Sequence, residues 1–137
     1  MRFENNPLEG HDLKITYEPI GFVESEYTES SPREKSHDRE SRIILDPQFL
    51  EGLKGLEPGQ RLMVLFHFDR IKEYQLHQHP RGDPDQPKKG VFAIRTPRRP
   101  NPIGITVVEI LSVEGNIVTG TGLDAYDGSP VVDLKTS

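Results

Sequence analysis

The chain of 137 residues contains no cysteine, which excludes a disulfide framework, a thiolate nucleophile and any cysteine-ligated zinc or iron–sulfur centre. No stretch approaches the ~18 apolar residues that a membrane-spanning helix needs. The opening MRFENNPLEG has no apolar run resembling a secretory signal, so a cytoplasmic protein is expected. Aromatic residues make up only 7% of the chain, and most Phe and Tyr fall inside apolar runs, so an exposed stacking platform for RNA is not expected. The patterns GxGxxG, GxxxxGK[ST], GxSxG and HExxH are all missing, which leaves nucleotide hydrolysis and serine-hydrolase chemistry without local support.

What is present is modest in apolar content, at 33%, but the hydrophobic runs recur along the chain and suffice for the core of one domain. The net charge is −5, and it is unevenly spread. From Arg70 to Arg99 eight bases (Arg70, Lys72, Arg81, Lys88, Lys89, Arg95, Arg98, Arg99) face three acids (Glu73, Asp83, Asp85), a local +5 against −10 elsewhere. An acidic protein thus contains one basic, proline-rich island, which composition alone reads equally as a place that attracts a polyanion or as a solvated basic loop.

Residues 1–14 are polar and turn-rich and read as an arm, with one domain over 15–137. Ile15 to Val23 reads as an edge strand broken at Pro19, and residues 24–41 as a long exposed loop. Arg42 to Leu45 is a short strand. Asp46-Pro47 then supplies an N-cap and a proline at the first helical position of a short helix through Leu53, ended by Gly55. Arg61 to Phe68 is the strongest apolar run and a buried strand. The pattern dissolves between Ile71 and Gly90, where His77 to Pro87 reads as a flexible loop, and Val91 to Arg95 reads as a further strand. Ile103 to Val113 and Ile117 to Leu123 flank Glu114-Gly115-Asn116 as a hairpin, and Val131 to Leu134 closes the series. Strands do not alternate with helices. The expected fold is therefore mainly β: a small antiparallel barrel or curled sheet of six or seven strands, with one short helix and long loops.

Two segments could carry chemistry. In Gly90 to Gly104, GVFAIRTPRRPNPIG, the prolines at 97, 100 and 102 push Thr96, Arg99 and Asn101 towards extended conformations and stiffen a loop that presents Arg95, Arg98 and Arg99. A stiff loop lowers the entropic cost of binding. In Leu123 to Asp133, LDAYDGSPVVD, a turn at Asp127-Gly128-Ser129-Pro130 lies among three carboxylates, Asp124, Asp127 and Asp133. The bases Lys88, Lys89, Arg98 and Arg99 are candidates for nucleic-acid phosphates. His67, His77 and His79 could in principle hold a metal, but their spacing supports this only weakly, and no metal site is expected.

These two segments, with Ile20-Gly21-Phe22-Val23 and Leu65-Phe66-His67-Phe68, give a sequence that resembles the TsaA-like, or TrmO, family of S-adenosylmethionine-dependent tRNA methyltransferases over Ile20 to Lys135. The resemblance implies a small β-barrel that binds S-adenosylmethionine in a homodimer, near the interface, and methylates the exocyclic nitrogen of threonylcarbamoyl-adenosine beside the anticodon. It implies cofactor contacts at Pro32, Arg33 and Glu34, at Asp69 and Arg70, at Arg95, at Leu123 and at Asp127, Gly128, Ser129 and Pro130. Family members commonly continue with Pro-Tyr after the residue matching Lys135, and longer relatives carry a C-terminal domain.

Methyl transfer to that nitrogen needs in-line positioning and a base, because the ureido lone pair is delocalised. Asp127 and Asp133 are the candidates for this catalytic role, and Arg95 suits a carboxylate or a phosphate. Two rival readings stand beside this one: a non-catalytic RNA-binding barrel, and a hydrolase with a metal on His67, His77 and His79.

Overall fold

The computed structural model describes residues 14–31 and 39–137. The expected arm, apart from Lys14, and the candidate contacts Pro32, Arg33 and Glu34 lie outside the described residues. Within them the chain forms β1 (Gly21–Glu24), β2 (Glu40–Leu45), β3 (Arg61–His67), β4 (His77–Gln78), β5 (Lys89–Gly90), β6 (Ile103–Glu114), β7 (Ile117–Thr121) and β8 (Pro130–Thr136). Six strands close into an antiparallel barrel in the order β1-β2-β7-β6-β3-β8, and β4 and β5 make a separate two-stranded ribbon. The barrel is the expected fold.

Period-two alternation builds its interior. In β3, Leu62, Val64 and Phe66 are buried while Arg61 faces water. Opposite them β6 buries Val108 and Ile110, and Val23, Ile43, Val118 and Val131 arrive from β1, β2, β7 and β8. Successive side chains on a strand point to opposite faces, so each strand gives the core every second residue. Gly104 is required by packing. A β-carbon there would lie 2.5 Å from the Phe66 ring and 2.7 Å from that of Phe68, and those rings meet edge to face with centroids 5.0 Å apart. The β6–β7 hairpin turns on Gly115, whose φ of +58° suits a two-residue loop and comes freely only to glycine. Asn116 stitches that turn to the end of β2, its side-chain amide donating to the Leu45 carbonyl at 2.7 Å.

Several local expectations change. The Ile15–Val23 run pairs only from Gly21, because Pro19 has no N–H for a ladder and Ile15 and Tyr17 are exposed. The helix after Asp46 is 3-10, over Pro47–Leu53, with Asp46 capping the Gln48 N–H. Leu53 is its one buried side chain, too narrow an apolar stripe to hold a longer α-helix on the barrel. Val91 to Arg95 is not a strand: Val91–Ala93 is a 3-10 turn in which Val91 alone is buried, its N–H donating to the Leu76 carbonyl. Within the stretch read as a flexible loop, His77 and Gln78 pair with Lys89 and Gly90, and the connecting turn is tied by hydrogen bonds.

Candidate active site

The turn before β8 is held by backbone pairing to β1 and the loop after it. Asp127 N–H donates to the Tyr27 carbonyl and Gly128 N–H to that of Val23, each at 2.7 Å, while Val23 N–H donates to the Ser129 carbonyl at 3.0 Å. The Asp127 carboxylate accepts from Ser25 N–H at 3.0 Å. Gly128 takes φ +83°, and a β-carbon on it would lie 3.9 Å from the Arg70 guanidinium. That contact is an ordinary one, so it is the left-handed φ, and not the approach of Arg70, that calls for glycine here. Arg70 Nη2 donates to the Asp127 carbonyl at 2.8 Å, its Nε lies 2.6 Å from Glu29 Oε1, and its Nη1 lies 3.5 Å from Asp69. One guanidinium thereby ties together the β3 exit, the β1–β2 loop and the β8 turn.

Two tyrosines floor this cluster. Tyr27 and Tyr126 have ring centroids 4.8 Å apart, with the Arg70 guanidinium 5.3 Å from the Tyr126 ring and that of Arg39 only 4.0 Å from Tyr27. Burial pushes the Tyr27 phenol above its ordinary value, the nearby Asp124 carboxylate and Tyr126 add to the rise, and Arg39 opposes it. Among the described residues Arg39 Nη1 is buried without a hydrogen-bond partner. A cationic donor in that state is costly unless something accepts from it. Beside it, Arg39, Ser25 and Glu26 belong to the lining of a concavity of about 680 Å³.

The remaining candidates fall in three places. Leu123 and Ser129 are buried, so the Leu123 side chain is spent in the core. Asp133 lies on β8 opposite Leu65, beyond a bulge between Leu65 and Phe66; its Oδ1 accepts from Leu134 N–H, and its Oδ2 lies 3.6 Å from Lys135. Arg95, Lys88 and Arg98 line a different cavity of about 430 Å³, with Arg81, His77 and His79. None of Asp69, Arg70, Leu123 or Asp127 to Pro130 lines it. Lys89 pairs with Gln78 in the ribbon, and Arg99 turns inward, its Nη1 donating to the Ile94 and Thr96 carbonyls. Among the described residues no group of three or more His, Asp or Glu stands where it could hold a metal, and no helix is long and apolar enough to cross a membrane.

Sequence reasoning missed Tyr27, Glu29, Arg39 and Tyr126 at the turn. A lone aromatic inside the charge-dense 24–41 stretch, and another between Asp124 and Asp127, were the available signals. It also expected few exposed aromatics, whereas Tyr17, Phe22, Phe49, Tyr74 and Phe92 are all exposed. Lying in an apolar run does not bury a ring: Phe22 sits on the outward face of β1, Phe49 on the 3-10 helix whose one buried side chain is Leu53, and Phe92 beside the one buried residue of its turn, Val91.

A closed six-stranded barrel with a glycine turn pinned by an arginine defines a class of small β-barrel binding domain. The chain belongs to the family described as the tRNA-methyltransferase O N-terminal domain, whose profile matches residues 22–136. It is 40% identical over 120 residues to an S-adenosyl-L-methionine-binding protein of Archaeoglobus fulgidus, covering 85% of each chain. It is 36% identical over 131 residues to the mouse tRNA (adenine(37)-N6)-methyltransferase, covering 86% of this chain and 30% of the mouse protein. A crystal structure of TrmO from Pseudomonas aeruginosa superposes with a TM-score of 0.71 at 30% identity, covering 91% of this chain and 56% of that one. The chain thus spans little more than half of that bacterial structure and less than a third of the mouse enzyme.

Proposed function

We propose that this chain is an S-adenosylmethionine-dependent methyltransferase acting on the exocyclic nitrogen of threonylcarbamoyl-modified adenosine beside the anticodon of tRNA, and that it works as a cytoplasmic homodimer. The observation that carries the reading is the cluster at the β8 turn. It combines an Arg39 guanidinium nitrogen that has no hydrogen-bond partner among the described residues, the carboxylates of Glu29, Asp69 and Asp127, and a tyrosine pair. S-adenosylmethionine carries a carboxylate, an ammonium, a sulfonium and an adenine, and the cluster offers a group suited to each: guanidinium for carboxylate, carboxylates for the cations, aromatic faces for the sulfonium or the base. Its family membership and its named relatives support the same assignment.

When bound, S-adenosylmethionine supplies an electrophilic methyl group. The turn residues Asp127 to Pro130 hold and orient, since their backbone is fixed to β1 before any ligand arrives and little entropy remains to be lost. Asp127 is committed to that frame through Ser25, Tyr27 and Arg70. Asp133 is freer, its Oδ2 facing Lys135 alone among the described residues, and is assigned as the base that takes the proton from the acceptor nitrogen. Arg95 belongs to the substrate end of the site, where it neutralises a carboxylate or phosphate.

The dimer reading is supported by the outer face of β3 and β6. Ile103, Ile105, Val107 and Leu111 are exposed, and Met63 and Leu65 stand opposite Val107 and Ile105 in register. A contiguous apolar face of this kind marks an association surface. Asp133, opposite Leu65, shares that face, which puts the proposed base beside the second copy.

The direct test is a melting curve with S-adenosylmethionine and, as control, ATP. A concentration-dependent rise with the first and none with the second is expected. No shift at millimolar S-adenosylmethionine would leave the barrel as a non-catalytic module.

A further inference from the structure

We infer that the cavity between the β4–β5 ribbon and residues 94–98 is a phosphate pocket for single-stranded RNA, with Phe92 beside it as the platform for an unpaired base. The inference rests on the tRNA reading above and says where the loop would dock. Six cationic or protonatable side chains, from His77, His79, Arg81, Lys88, Arg95 and Arg98, line one cavity of about 430 Å³, and among the described residues no Asp or Glu lines it. Among the described residues none of these six forms an ion pair. A solvated basic loop would let its charges spread apart, because convergence of like charges is unfavourable. Here the backbone holds them together.

The walls are built rather than loose. Gln78 clamps the proline-rich segment onto the ribbon, its amide donating to the Arg98 carbonyl at 2.7 Å while its oxygen accepts from the Thr96 hydroxyl at 2.8 Å. His79 Nδ1 lies 2.8 Å from the Gln86 carbonyl and closes the turn. Arg99 braces the segment from within. Arg81, with φ +56°, is the one non-glycine residue in the left-handed region among those described. A long side chain is strained in that conformation, and it places a guanidinium on the cavity lining.

Phe92 is 80% exposed and lies in the chain between Lys88 and Arg95, both on that lining. Tyr74 and Leu76, on the strand side of the same ribbon, are exposed as well. Exposed aromatic rings a few residues along the chain from a cationic pocket offer the two things a single strand needs, phosphate neutralisation and base stacking. A duplex would present its phosphates without an unstacked base.

The test uses the whole chain and two labelled probes, an unmodified tRNA anticodon stem-loop and a blunt RNA duplex of equal mass, titrated by fluorescence anisotropy at several salt concentrations. Phe92→Ala, at an exposed position that leaves the core intact, is expected to weaken stem-loop binding by about five- to a hundredfold, and duplex binding by less. Lys88→Ala is expected to weaken both probes and to reduce the salt slope by about 1. Stem-loop affinities within fivefold of the parent in both variants overturn the proposal. Isothermal titration with S-adenosylmethionine runs in parallel. A parent chain that binds the stem-loop but not the cofactor sinks the methyltransferase reading alone, whereas variants that lose cofactor and keep RNA give the cavity to the cofactor and sink this one.

Discussion

At the β8 turn, Arg70 spends its guanidinium on the Asp127 carbonyl, the Glu29 carboxylate and Asp69. In the ribbon cavity Arg81, Arg95 and Arg98 line a wall on which, among the described residues, no carboxylate answers them. The same side chain is used for opposite ends. Paired and tied to backbone residues far away in sequence, it rigidifies a frame that a small ligand can enter without reordering it. Left without counter-ions on a stiff loop, it stores unfavourable charge that an anion relieves. The turn is therefore suited to a zwitterionic cofactor and the cavity to a polyanion, and the two should respond separately to mutation and salt.

The sharpest separation is expected from Asp133→Asn. Turnover should fall by at least about a hundredfold, the range for loss of a general base, while cofactor and RNA affinities stay within a few-fold by titration. Retained turnover would remove Asp133 from the mechanism. Next comes Gly128→Val, which forces a β-branched residue to φ +83°. A cost of about 1–3 kcal/mol in stability by denaturant melting is expected, with cofactor affinity down at least tenfold and RNA affinity kept. Equal loss of both ligands would merge the two regions into one site.

Smaller effects sharpen the other side. Gln78→Ala unclamps residues 96–98 from the ribbon and should weaken stem-loop binding several-fold, with a stability change near 1 kcal/mol and no change in cofactor affinity. The smallest prediction concerns Tyr27. Its phenol titrates above the ordinary value of 10.0, so the folded state resists ionisation more than the unfolded one does. Its contribution is full below about pH 10 and is lost as pH rises through the folded value. Tyr27→Phe should flatten the alkaline arm of the melting profile, and an unchanged arm would refute the assignment.

Much of the barrel was legible because runs such as Arg61 to Phe68 and Ile103 to Val113 are long and apolar and are bounded by turn residues; which alternate residues face the interior came from the structure. The hairpin was legible from Gly115. The ribbon was not, since two residues per strand are too few for a period, and its stability comes from Gln78, His79 and Arg99 bonding to backbone carbonyls. Motif positions likewise marked Arg70 and the Asp127 turn as candidates. Their partner Glu29 and the tyrosine floor depend on the β1–β2 loop folding back over β8, a contact between residues about a hundred apart in sequence, as Ser25 to Asp127 shows. Arg95 and Arg70 were grouped as cofactor contacts because each sits in a motif, whereas in the fold Arg95 lines the ribbon cavity and Arg70 does not.

The most direct test of the central claim is transfer of a labelled methyl group from S-adenosylmethionine to tRNA carrying threonylcarbamoyl-adenosine, followed by digestion to nucleosides. Label in the threonylcarbamoyl-adenosine nucleoside, lost in Arg70→Ala and absent with tRNA lacking the modification, is the predicted result. Label elsewhere in the tRNA, or none from a chain that binds both ligands, would contradict it.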